Sequence, residues 1–184
     1  MNLLIVGDPR SGKTRWCTDY IDWVREQGIS VGGVLSPEVC ESGERVGFDV
    51  TDLITGKRIP YARFSINDSF GAGEMVGPYT IDHDAILFAR KAIRSAIHSV
   101  CGLVVIDEVG PLELRGKGLM PAVELCMSSA LNVLIIVRSS LREAIQRYFI
   151  MSEFTAVDCS TLYDLDDSLL HTSYRGMRPR EYHS

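Results

Sequence analysis

Residues 7–14, Gly7-Asp8-Pro9-Arg10-Ser11-Gly12-Lys13-Thr14, follow the apolar run Asn2-Leu3-Leu4-Ile5-Val6 and precede a stretch with helical spacing. The pattern is G-x-x-x-x-G-K-[ST], the phosphate-binding loop, set between strand and helix as its mechanism requires. Gly7 and Gly12 allow backbone conformations that a Cβ would forbid. Amides from Arg10 to Arg15, at the start of the helix, are placed to cradle phosphate oxygens. Pro9 has no N–H and only shapes the loop, and Gly7 to Arg15, with Asp8 and Ser11 among them, form the candidate nucleotide-binding set. Lys13 is expected to reach the β- and γ-phosphates, and the Thr14 hydroxyl to ligate Mg²⁺. Such a pattern arises by chance in roughly 1% of chains this long, so its placement before a helix makes a nucleotide site the stronger reading.

The 184 residues suffice for one domain, taken here as residues 1–184 with 171–184 as a peripheral tail. With 24 acidic against 19 basic residues the net charge is −5. A nucleic-acid footprint normally needs a basic surplus, so DNA or RNA is not the favoured partner. Arg175, Arg178 and Arg180 cluster in the tail, where a solvated, frayed end is the better reading. The five cysteines are widely spaced, with no C-x-x-C and no zinc spacing. They read as small core residues of a reducing compartment. The opening apolar run is too short for a signal peptide, and no stretch approaches a membrane span, so the expected location is the cytoplasm.

After the loop, Trp16, Tyr20, Trp23 and Val24 fall on one helical face closed by Gly28. Both tryptophans read as core rather than as base-stacking platforms. Residues 30–35 form a short strand that Ser36-Pro37-Glu38 stops. Residues 44–52 and 57–65 alternate around Thr55-Gly56 and predict an inserted antiparallel hairpin. Residues 67–79, with Gly71, Gly73 and Gly77, predict a long loop. Asp82 caps a helix to about His98, and Leu103-Val104-Val105-Ile106 is a strand buried on both faces. A helix over 120–131, a buried strand over 133–137, a helix over 141–150, a strand over 155–157 and an acidic helix over 162–170 complete the chain. Alternating strands and helices predict a three-layer α/β fold with a parallel sheet.

Asp107 ends the buried strand. Ligands of open α/β sheets bind at that edge, so its carboxylate is expected to hold Mg²⁺ beside Thr14. Glu108 follows, placed to orient and deprotonate a water in line with the γ-phosphate. Glu113, after Gly110-Pro111-Leu112, is a second candidate carboxylate. Phosphoryl transfer benefits from a cation on the developing charge, and Arg138 is the best-placed one. Arg10, Arg115 and Arg142 are rivals, and each alone is more often a surface arginine.

These residues resemble the THEP-type, or cancer-related, nucleoside-triphosphatases of the P-loop superfamily. The matching pieces are residues 7–14, Ser36-Pro37-Glu38-Val39, Arg45-Val46-Gly47-Phe48-Asp49, Val76-Gly77-Pro78-Tyr79-Thr80 and residues 106–114. The resemblance implies a RecA-like domain that slowly hydrolyses several nucleoside triphosphates, ATP and GTP among them, with Mg²⁺. It also implies that Glu38 and Arg45 lie near the nucleotide cleft. After Ser160 an Asn-Arg-Asp-like element is expected, and this chain carries Leu162-Tyr163-Asp164 instead.

Three rivals share the loop. A small-molecule kinase would add an Arg-rich lid, but residues 67–79 contain no arginine. A switch GTPase would match Asp107-x-x-Gly110 but also needs N-K-x-D, and the chain has no Asn-Lys pair. A nucleotide-dependent accessory module predicts tight binding with negligible turnover.

Overall fold

The apolar runs of the sequence become the centre of one twisted sheet. The structure is a computed structural model that describes residues 1–65 and 73–162, with side chains to residue 160. Residues 67–72 of the Gly-rich segment, the acidic stretch from 163, Tyr163-Asp164 and the arginine-bearing tail lie outside the described residues. In chain order the elements are β1 (Asn2–Val6), α1 (Lys13–Glu26), β2 (Val31–Leu35), β3 (Glu38–Glu41), β4 (Glu44–Asp52) and β5 (Arg58–Phe64). They continue as β6 (Gly73–Val76), β7 (Tyr79–Asp82), α2 (His83–His98), β8 (Leu103–Val109) and α3 (Met120–Met127). The chain then forms β9 (Val133–Val137), α4 (Arg142–Tyr148), β10 (Thr155–Asp158) and α5 (Cys159–Leu162).

The strand order is β10-β1-β9-β8-β2-β4-β5-β7-β6, with β3 beside β4. The half from β10 to β2 is parallel, and the rest is antiparallel. β9 therefore lies between the strand that feeds the loop and the strand that ends in Asp107-Glu108, in register Leu4↔Ile135 and Ile106↔Ile135.

Period-two alternation sorts the central side chains onto two faces. Leu3, Ile5, Val105 and Ile136 pack under α1. Leu4, Val6, Ile106 and Ile135 pack against α2 and α3. Three layers result, helix over sheet over helix, and each fully buried Leu or Ile contributes about 1.5–3 kcal/mol. Trp16 is buried and stacks on Tyr20 at 5.0 Å, so it belongs to the core. Asp82 caps α2 by accepting from the Ala85 amide at 2.8 Å. No helix among the described residues is long and apolar enough to cross a membrane.

The antiparallel part is larger than the expected hairpin. Residues 73–76 and 79–82 pair as a second hairpin instead of the expected loop, because Gly73 and Gly77 look like loop residues in isolation. β3 was missed because Pro37 ends the run before it and the strand is short and largely exposed. Asp49 braces β4 to β5 through Arg58 at 2.8 Å and Arg63 at 2.6 Å. Cys40, on β3, is exposed, contrary to the core reading, while the other four cysteines are buried. Burial pushes the Cys126 thiol up to about 12 and the Cys17 thiol well up, so neither is a nucleophile at neutral pH.

Candidate functional site

The C-terminal ends of β1, β9, β8 and β2 open into a cavity of about 830 Å³. The loop after β1 supplies its floor. Gly12 caps α1 at φ 87°, a left-handed conformation that turns the chain into the helix. Gly7 is needed for close approach, since a Cβ there would meet Ser11 Oγ at 2.5 Å and Cys159 Cβ at 2.9 Å. Lys13 is buried and donates from Nζ to the carbonyls of Gly7 and Asp8, both at 2.8 Å. Its ammonium is thus folded back onto the loop's own carbonyls. Pro9, Arg10, Thr14 and Arg15 also line the cavity.

Asp107 is buried at the end of β8. Its Oδ2 accepts from the Thr14 hydroxyl at 3.3 Å and from the Ser36 amide at 3.1 Å. The Ser36 hydroxyl donates to the Asp107 carbonyl. Burial raises the Asp107 carboxyl to about 7. The Ser36 amide pulls against that, the neighbouring Glu108 charge adds to it, and Thr14 and Lys13 pull it down. Ser36 is a site residue that the sequence did not reveal. A serine ending one strand carries no local mark of the carboxylate it meets on the next.

Glu108 lines the cavity, and its Oε1 accepts from Arg138 Nε at 2.6 Å. The strand order explains this pairing, because Arg138 leaves β9 right beside β8. Of the rival arginines, Arg10 lines the cavity and Arg115 and Arg142 do not. Glu113 also borders the cavity, but its carboxylate is committed to the backbone. Its Oε2 accepts from the Gly110 amide at 2.9 Å and its Oε1 from the Leu119 amide at 3.0 Å. It braces the turn that leaves β8, and burial raises its carboxyl above the usual range.

Glu38 and Arg45 line the wall built by the antiparallel strands and pair at 2.6 Å. Arg45 lies over the Phe48 ring at 5.3 Å and the Tyr79 ring at 5.9 Å. Phe48 and Tyr79 meet edge to face at 5.3 Å. Sequence reasoning missed this aromatic wall, since its members come from β4, β5 and β7 and converge only through strand pairing.

A hydroxyl and a carboxylate within hydrogen-bond reach are oxygen donors of the kind a hard divalent cation prefers, so Thr14 and Asp107 fit Mg²⁺.

The chain matches the family described as NTPase over residues 2–161. It is 31% identical over 144 residues to nucleoside-triphosphatase THEP1 of Methanopyrus kandleri, covering 78% of this chain and 77% of the relative. It is 37% identical over 134 residues to the protein of that name from Thermofilum pendens, covering 72% and 71%. The crystal structure of THEP1 from the hyperthermophile Aquifex aeolicus superposes with a TM-score of 0.72 at 20% identity, over 97% of this chain and 100% of that one. The solution structure of a human cancer-related nucleoside triphosphatase gives 0.70 at 24%, over 97% and 99%. At such identities these two structures speak for the fold alone, a three-layer α/β domain with a mostly parallel sheet. The family match runs from β1 to the end of the described chain, and with relatives above 30% identity behind it the protein belongs to the THEP1-type nucleoside-triphosphatase family.

Proposed function

We propose that this protein hydrolyses nucleoside triphosphates, ATP and GTP among them, to the diphosphate and phosphate, with Mg²⁺ as cofactor. The observation that carries the reading is the meeting of Thr14 with Asp107 at 3.3 Å in the cavity that Lys13 and Glu108 also line. The names of the curated relatives, nucleoside-triphosphatase THEP1, support the same reaction.

In this mechanism the amides of residues 10–15 bind the β- and γ-phosphates. Lys13 leaves the Gly7 and Asp8 carbonyls for the phosphate oxygens, an exchange of neutral for charged acceptors. Thr14 and Asp107 would hold Mg²⁺, whose charge would offset that of the phosphate oxygens. Glu108 orients a water behind the γ-phosphate and takes its proton as the bond to phosphorus forms. Arg138, paired with Glu108 in the free protein, turns its guanidinium to the charge that develops on the transferring group. Loop contacts with the phosphates do not read the base, which is consistent with acceptance of several nucleotides.

Release of phosphate from ATP, GTP, CTP and UTP, each with Mg²⁺ and with EDTA, tests the proposal. Turnover with every base that vanishes in EDTA and in Lys13→Ala is the expected result. Tight nucleotide binding with no phosphate released from any of the four would overturn it in favour of an accessory module.

A further inference from the structure

The cavity extends past the phosphate loop, and its remaining lining lies on one side. The sheet order fixes that side. From β1 the edge runs through β9 with Arg138, β8 with Asp107 and Glu108 and β2 with Ser36, to β4, β5 and β7 with Phe48, Tyr61 and Tyr79. A triphosphate on the Lys13 loop points its γ-phosphate at the metal and base residues of β8. Its α-phosphate and nucleoside then trail the other way, back past the start of α1, where Arg15 and Thr18 border the cavity. The aromatic wall therefore stands beyond the γ-phosphate, on the flank from which an in-line nucleophile attacks.

Phe48, Tyr61, Val76, Tyr79 and Leu112 give this lobe an apolar lining that a water would not use. Its polar handle is the Glu38–Arg45 pair. Aromatic walls with a few convergent polar groups are the make-up of a small-molecule site.

We propose that this lobe is a second-substrate subsite for a small ring-bearing alcohol, to which the γ-phosphoryl group is transferred. The inference rests on the nucleotide reading above for where the γ-phosphate lies, but not on water being its acceptor. In the step, the acceptor hydroxyl oxygen forms a bond to the γ-phosphorus while the bond from that phosphorus to the β–γ bridging oxygen breaks. The hydroxyl proton passes to the Glu108 carboxylate, and the products are the nucleoside diphosphate and the phosphate monoester. The ring packs against the apolar wall at Phe48, and a polar substituent reaches Arg45. Where the lobe is empty of alcohol, water enters and the reaction is hydrolysis.

The test uses the whole protein with Mg–ATP and two probes that share the chemistry, uridine and 2-phenylethanol, at millimolar concentration. ADP, inorganic phosphate and phosphorylated probe are measured together. The proposal expects ADP in excess of phosphate by the amount of monoester formed with at least one probe, and a return to one-to-one release in Phe48→Ala. It also expects saturation transfer from Mg–ADP-loaded protein to the probe's ring protons. One-to-one release of ADP and phosphate with both probes overturns the proposal and leaves the hydrolase standing, as does displacement of the probe by ADP, which would put the base in the lobe. ADP formed only with a probe present retains this inference and sinks the hydrolase. No ADP under any condition sinks both.

Discussion

Replacing Arg138 by alanine separates a structural role of the Arg138–Glu108 pair from a catalytic one. The pair is short, 2.6 Å, yet its side chains remain 43% and 28% exposed. An ion pair open to solvent to that degree is worth about 0–1 kcal/mol to the fold. For a chain of this length 1 kcal/mol moves Tm by roughly 2–4 °C, so Arg138→Ala should melt within a few degrees of the original protein. Loss of a preorganised cation at the transferring phosphoryl group is instead expected to lower kcat by about 10²–10³-fold. The nucleotide is held mainly by the loop, so KM should change little. Arg138→Lys restores a charge without the planar fork that pairs with Glu108 and should recover only part of the loss. Steady-state phosphate release with thermal melting of the same samples gives both numbers. A kcat kept within about threefold, less than the 1.4 kcal/mol of a tenfold change, would refute a transition-state role for Arg138.

Two other substitutions probe the scaffold. Gly7→Ala places a Cβ 2.5 Å from Ser11 Oγ and 2.9 Å from Cys159 Cβ; relief of such crowding costs about 1–3 kcal/mol, and calorimetry should find nucleotide affinity down by about tenfold or more. Glu113→Gln leaves one of the Gly110 and Leu119 amides without an acceptor and should cost about 1–3 kcal/mol in urea unfolding at neutral pH. The Glu113 carboxyl is raised by burial, so the unfolded chain loses this proton before the folded one does. Its contribution to stability is therefore full below the ordinary glutamate value and is lost as pH rises through the raised one. The glutamine variant should show a shallower fall of stability with rising pH, and unchanged slopes would contradict that assignment.

What could be read in the sequence is what is local. The loop declares itself because residues 7–14 carry their own backbone requirements and because Leu3 to Val6 and Trp16 to Val24 have clear periods. The same holds for β8 and β9, whose continuous apolar runs allow only a strand buried on both faces. The 73–82 hairpin stayed hidden because two glycines outweighed four-residue strands that are stable only by pairing with β5. Likewise, Ser36 beneath Asp107 and Arg138 against Glu108 are products of strand order, which no local pattern encodes. The aromatic wall around Arg45 is the extreme case, drawn from three strands of an insertion. Glu113 shows the converse: a carboxylate legible as a site candidate is engaged by two backbone amides at the cavity's border.

Glu108→Gln isolates the proton-accepting step, with Mg–ATP binding followed by calorimetry and turnover followed by phosphate release. The substitution keeps the shape of the side chain that meets Arg138 and removes its ability to take a proton. Affinity is predicted to stay close to that of the original protein while phosphate release falls by about 10²–10⁴-fold, the usual worth of one general base. Hydrolysis at the original rate in this variant would contradict the account.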